Sequence, residues 1–162
     1  MYNMADIASI KNYMVAHRQT LAVAESVTSG NLQVAFSLAD QATQFYQGGI
    51  TTYNVGQKAR HLNVNPIHAL ACNSVSEKVT EEMAIHALSL FSSDWSVAIT
   101  GYAAPVPELG IKDLFAFYAI AFGGKVVQTK KIDAPHLGIY EAEVCFTGVV
   151  LHELSNFLIG RS

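Results

Sequence analysis

The sequence predicts a three-layer α/β/α sandwich around a mixed, mostly parallel β-sheet. Three observations predict it. Short apolar runs with strand character alternate with segments of helical period; a Gly-Gly pair separates two adjacent strand-like runs; and no repeat, low-complexity tract or linker divides residues 1–162, which read as a single domain. Strands separated by helices pair in parallel, whereas a Gly-Gly hairpin demands one antiparallel pair, so the sheet must be mixed.

The elements follow in order. Ala5 to His17 places Ile7, Ile10, Tyr13, Met14 and His17 at helical spacing. Leu21 to Ala24 is a short buried strand, Asn31 to Leu38 is helical, and Gln47 to Tyr53 is β-rich. Asn54 suits the N-cap of a short helix, Val55 to Leu62, that carries Lys58. Pro66 starts another helical turn towards Leu70. Ser76 then caps a longer helix with Glu77 in its first turn, running through Val79, Met83, Ala87 and Leu90. Trp95 to Thr100 is a strand. Leu114 to Phe122 and Val126 to Ile132 are two more, joined at Gly123-Gly124, where glycine meets the positive φ of a hairpin turn. A last helix runs from Ile139 to about Leu158.

Composition narrows the function. Half of the chain is hydrophobic (51%) and only 14% is charged, which points to a large buried fraction or a hidden apolar interface, and so to a homo-oligomer. The ten Lys and Arg form no run and the net charge is −3, so no nucleic-acid footprint is present. No window reaches 18 uncharged apolar residues and the first 18 lack a signal-peptide pattern, so neither a membrane nor export is expected. Cys72 and Cys145 are isolated and read as reduced thiols of a cytoplasmic protein. Six scattered His residues lack metal-ligand spacing; no metal and no cofactor is expected.

The chemistry gathers in two segments. Glu25-Ser26-Val27-Thr28-Ser29-Gly30 lies where a strand stops and a helix begins, a turn that points hydroxyls and unpaired N–H groups towards an anionic or carbonyl oxygen. Gly48-Gly49-Ile50-Thr51-Thr52-Tyr53 and then Lys58 follow, so that Ser26 and Lys58 could form a nucleophile pair. Taken alone, Ser26 reads as a helix cap, Lys58 as a solvated helix residue and Tyr53 as a rim or core aromatic.

Four motifs in order and register give these residues a family. Glu25-Ser26-x-Thr28-x-Gly30, Gly48-Gly49-x-x-x-Tyr53-x-x-x-x-Lys58, Val75-Ser76-Glu77-x-Val79 and Thr100-Gly101-x-Ala103-x-Pro105 resemble the CinA carboxy-terminal family over about residues 5–158. That family includes amidohydrolases that convert nicotinamide mononucleotide to nicotinate mononucleotide and ammonia. The resemblance implies that Ser26 is the nucleophile, Lys58 its activator and Tyr53 a neighbour. It also implies oxyanion donors among the N–H groups of Thr28, Ser29 and Gly30. Thr100 and Gly101 would close the pocket, and a nucleotide substrate would lie across Gly30, Gly48 and Gly49. On the residues themselves, Glu25 either orients Lys58 or the Ser26 hydroxyl or makes a structural hydrogen bond to the backbone, and Gly48-Gly49 is either a bulge or a close ligand approach.

The chain departs from the family pattern at several places. Val27 and Ser29 replace Cys and Gly, Asn73-Ser74 replaces Gly-Ala, and residues 102–108 carry two prolines and a Glu where the family has glycines. No Lys or Arg lies between Lys131 and Arg161, where the family has an Arg-rich helix start; Lys130 and His136 are the candidates to replace it. Three readings follow: an amidohydrolase of the nicotinamide-nucleotide type, a catalytically impaired paralogue that keeps the fold as a nucleotide-sized binding or interaction module, or an amidase for a less anionic substrate.

Overall fold

The computed structural model describes residues 2–161. The elements are α1 (Met4–His17), β1 (Leu21–Glu25), α2 (Asn31–Ser37), β2 (Tyr46–Thr51), α3 (Val55–Leu62), α4 (Pro66–Ala71), α5 (Glu77–Phe91), β3 (Trp95–Tyr102), β4 (Leu114–Phe122), β5 (Lys125–Ala134) and α6 (Ile139–Ile159). Two 3-10 turns, Ala42–Gln44 and Pro107–Leu109, add to the elements expected from the sequence. The caps read from the sequence form: Asn54 accepts from the Gln57 N–H and Ser76 from the Val79 N–H. Gly123 and Gly124 take φ of 57° and 84° in the β4–β5 hairpin.

The sheet order is β2-β1-β3-β4-β5. β1 pairs in parallel with β2 and β3, and β4 pairs antiparallel with β3 and β5. The parallel and antiparallel pairs are therefore equal in number. The second antiparallel pair arises because residues 103–113 return the chain without a helix, through a small loop closed by a Val106–Ile111 bridge.

Strand alternation separates two cores by side-chain size. Towards α1, α2 and α6 point Leu21, Val23, Trp95, Val97, Ile99 and Tyr118, packed with Ile10, Met14, Phe36, Phe146 and Leu154. Towards α5 the same strands offer mainly alanines, Ala24, Ala98, Ala119 and Ala121, against Met83, Ala84 and Ala87. Small residues on both surfaces let α5 lie close to the sheet, and the Ser96 hydroxyl reaches the Ala84 carbonyl. α6 is long and apolar enough, by length and composition, to cross a membrane. Here its Ala142, Phe146, Val150, Leu151, Leu154 and Leu158 are core.

This topology places the site. β1 leads through α2 to β2 on one side, and the chain then crosses α3, α4 and α5 to reach β3 on the other. Connections thus diverge at the carboxyl end of β1, and such a switch point leaves a crevice beyond the strand ends.

Candidate active site

A crevice of about 360 Å³ opens at that point. Its wall includes Ser26 and Val27 after β1, Tyr53, Asn54, Val55 and Lys58 around the start of α3, and Asn73 to Val75 before α5. Thr100 to Ala104 and Val106 complete it from β3, with Ile139 of α6 at the rim.

Ser26 and Lys58 meet in this crevice. Both are buried, and Lys58 Nζ lies 2.9 Å from Ser26 Oγ and donates to the Thr52 carbonyl at 3.0 Å. α3 delivers the lysine because Lys58 and Leu62, one helical turn apart, are the buried residues of an otherwise polar helix. Burial disfavours the ammonium form and lowers the Lys58 pKa to about 8. An amine so placed holds about half of its population as free base at pH 8, within reach of a hydroxyl proton.

Glu25 and Thr28 are internal groups, not wall residues. The fully buried Glu25 carboxylate accepts from the Thr28 hydroxyl at 2.5 Å and from the N–H groups of Gly30, Leu32 and Gln33 at 3.2, 3.0 and 2.9 Å. The positive end of α2, expected to face a ligand, is thus occupied by the chain's own carboxylate. Ser29 donates its N–H to the Ser26 carbonyl, and the Gly30 N–H is taken by Glu25. Neither is then a free oxyanion donor. The Val27 and Thr28 N–H groups have no acceptor among the described residues.

The remaining expected contacts divide in the same way. The Ser29 hydroxyl donates to Glu143 of α6 at 3.1 Å, outside the crevice. Gly30, Gly48 and Gly49 also lie outside it. A Cβ on Gly49 would stand 2.5 Å from Val23 Cγ2 and 2.6 Å from Gln33 Cγ, and one on Gly48 3.3 Å from Phe91, so this glycine pair serves packing. Thr100 and Gly101 do line the crevice. Thr100 donates its hydroxyl to the Ser74 carbonyl at 3.0 Å, while a Cβ on Gly101 would collide with the Phe115 carbonyl of the adjacent strand. Tyr53 stands at the rim, 73% exposed, with no hydrogen bond to Ser26 or Lys58. Lys130 is paired with Glu153 and His136 is exposed; neither lines the crevice.

Asn73, Ser74 and Tyr102 form a wall that the sequence did not assign to the site. Asn73 and Ser74 both have positive φ (48° and 62°), a conformation that turns the chain sharply before α5. Asn73 Nδ2 donates to the Tyr102 hydroxyl at 3.2 Å, tying this turn to the end of β3. The Ser74 hydroxyl is buried without a partner among the described residues, as is that of Thr52. The available signal was their departure from the family pattern, placed directly before the helix that Ser76 caps. Among the described residues no group of three or more His, Cys, Asp or Glu is arranged to hold a metal ion.

Sequence and fold both match known proteins. The family model of the CinA C-terminal domain matches residues 5–132. The chain belongs to this family. A CinA-like protein of Prochlorococcus marinus is 42% identical over 88 residues, 54% of the chain but only 21% of that protein. Protein YdeJ of Escherichia coli K12 is 35% identical over 98 residues, 60% of the chain and 57% of YdeJ. The matched stretch thus spans about a fifth of the first relative and somewhat over half of the second. The competence damage-inducible protein A structure from Klebsiella pneumoniae subsp. pneumoniae MGH 78578 superposes with a TM-score of 0.90 at 27% identity, covering 98% of each chain. The five-stranded mixed sheet with helices on both faces is therefore that of the CinA superfamily.

Proposed function

We propose that this CinA-family chain is an amidohydrolase in which Ser26 attacks a carboxamide carbon and Lys58 takes its proton. The single observation that supports the reading is the buried 2.9 Å contact between Ser26 Oγ and Lys58 Nζ at the base of a crevice. Ser26 passes its hydroxyl proton to the amine as Oγ bonds to the carbonyl carbon. The oxyanion is met by the Val27 N–H group, which the α2 cap leaves unused on a residue that lines the crevice. The Lys58 ammonium returns the proton to the leaving nitrogen as the C–N bond breaks, releasing ammonia and leaving an acyl ester on Ser26. Water, deprotonated by Lys58, then adds to that ester, and the Lys58 ammonium returns the proton to Ser26 Oγ as the C–Oγ bond breaks, freeing the carboxylate and restoring the hydroxyl.

Nicotinamide mononucleotide is the substrate implied by the family resemblance. The test is ammonia release from it by the purified protein, beside Ser26→Ala and Lys58→Ala. Activity is expected to rise with pH through about 8, as Lys58 becomes free base. Turnover lost in both variants supports the pair; turnover that survives Ser26→Ala refutes it. One observation favours a second reading, a binding module without turnover: Lys58 is the one charged side chain lining the crevice among the described residues. That reading gains if no carboxamide is hydrolysed while ligands still raise the unfolding temperature.

A further inference from the structure

We propose that the crevice takes a carboxamide carrying no anionic group, a nucleoside-type amide in preference to its phosphorylated form. This inference rests on the amidohydrolase reading above and names the substrate class of the same site. Four observations carry it.

The wall mixes polar with apolar side chains and is almost without charge. Asn54, Asn73, Ser74, Tyr53 and Tyr102 supply amides and hydroxyls, and the one cationic side chain among the described lining residues is Lys58. That lysine is committed to Ser26 and the Thr52 carbonyl, and it carries no charge in the form that activates the nucleophile.

Two of the helix ends near the crevice, those of α2 and α6, have carboxylates close by, while those of α3 and α5, beside Val55 and Val75, are capped by the neutral side chains of Asn54 and Ser76. Glu25 closes the end of α2 through three backbone N–H groups. At the start of α6, next to the rim residue Ile139, the Glu141 carboxylate folds so closely over Gly138 that a Cβ there would collide with it. An external phosphate would have to compete with these groups for the same dipoles.

Charges near the rim have the wrong sign for a phosphate. Glu143 lies within hydrogen-bond reach of Ser29 (3.1 Å) and Asn31 (3.4 Å), bridging α6 to the turn that follows Ser26. Finally, two of the cations that follow β4 are engaged elsewhere: Lys130 with Glu153, Lys131 with Asp133 and the Phe115 ring. A desolvated phosphate without a charge-assisted partner forfeits the strong form of its hydrogen bonds.

A matched pair of ligands tests this. Nicotinamide riboside and nicotinamide mononucleotide share the carboxamide and the ribose and differ in the phosphate. Their dissociation constants are measured by calorimetry on the Ser26→Ala protein, which binds without turning over. The riboside is expected to bind at least about tenfold more tightly, a margin that shrinks with added salt and on Glu143→Gln, because both weaken the rim field. Equal or tighter binding of the mononucleotide overturns the proposal, and so does failure of both to bind. Ammonia release by the wild-type protein from either ligand is scored separately. The amidohydrolase reading can therefore stand while the charge preference falls, or fall while the preference stands.

Discussion

Replacing Lys58 with Met is expected to stabilise the protein at neutral pH while removing its proposed activity. The lysine is 1% exposed, and burial moves its pKa from 10.5 to about 8. Below pH 8 the native and unfolded chains both hold the proton, so the native state bears the full cost of the buried ammonium. Between 8 and 10.5 the native lysine has released its proton while the unfolded one keeps it. The unfolded state then binds more protons, and stability rises with pH. A shift of about 2.5 units corresponds to about 3 kcal/mol at roughly 1.36 kcal/mol per unit. Against this, Met leaves the Thr52 carbonyl without its donor, a loss of about 1–2 kcal/mol. The variant should therefore be more stable at pH 7 by about 1–2 kcal/mol, an advantage that vanishes or reverses by pH 10. Urea unfolding at pH 7 and pH 10, followed by the single buried Trp95, reads this out. Tyr46 and Tyr118, whose pKa values are also raised by burial, titrate in both proteins and cancel in the difference. A wild-type-minus-variant difference that stays flat between the two pH values refutes the reasoning.

Three further outcomes follow from the same geometry. Glu25→Gln keeps the shape but turns an amide donor towards N–H groups that need an acceptor; it should cost about 2–4 kcal/mol in denaturant unfolding. Gly49→Ala forces a methyl against Val23 and Gln33 and should cost about 1–3 kcal/mol, seen as a lower denaturation midpoint at unchanged m-value. Ser74→Ala removes a buried hydroxyl that has no partner among the described residues, so thermal unfolding should show no loss, and a gain of up to about 1 kcal/mol.

Local signals carried most of the fold. Asn54 and Ser76 cap because their side chains meet N–H groups three residues on, and Gly123-Gly124 turns because glycine tolerates positive φ; each interaction is complete within a few residues. The β3–β4 pairing was harder to read, since nothing in residues 103–113 states which edge the returning strand joins. The site was legible at Ser26 and Lys58 through register with a family pattern. Glu25 stood open between orienting the pair and a structural bond to the backbone, because its three backbone partners lie five to eight residues away and exist only once α2 has turned back over the end of β1. A carboxylate beside a hydroxyl-rich turn suggests ligand contact, whereas this one satisfies the turn from inside. Gly48 and Gly49 stood open for a related reason: a glycine pair marks a bulge or a close approach, but sequence does not say whether a ligand or Val23, Gln33 and Phe91 approach.

Taken alone Lys58 reads as a solvated helix residue, and the structure shows instead that it lies on the buried stripe of α3. Val55, Lys58 and Leu62 are spaced i, i+3, i+7 on α3, and Gly56, Gln57, Ala59, Arg60 and His61 fill the other positions. On a helix of that pattern the buried stripe passes through the lysine, and the structure buries Lys58 together with Leu62. A chain selected for stability alone would place an apolar residue there, since the ammonium gains no carboxylate partner and burial alone sets its pKa. Two neutral acceptors, Ser26 Oγ and the Thr52 carbonyl, hold it instead. Neutral partners keep the amine weakly basic, where a carboxylate would have restored its ordinary pKa and its proton. Glu25 is near in sequence to Ser26, yet its carboxylate is spent on Thr28 and the start of α2. The helix cap therefore does more than begin α2: it engages the one carboxylate in the nucleophile turn and leaves Lys58 to neutral acceptors. If that coupling is right, Glu25→Gln in a protein stable enough to assay should leave the apparent pKa of turnover near 8, whereas Thr28→Val, which frees one carboxylate lone pair, should raise it. A pKa that falls in Thr28→Val would break the link between the cap and the base.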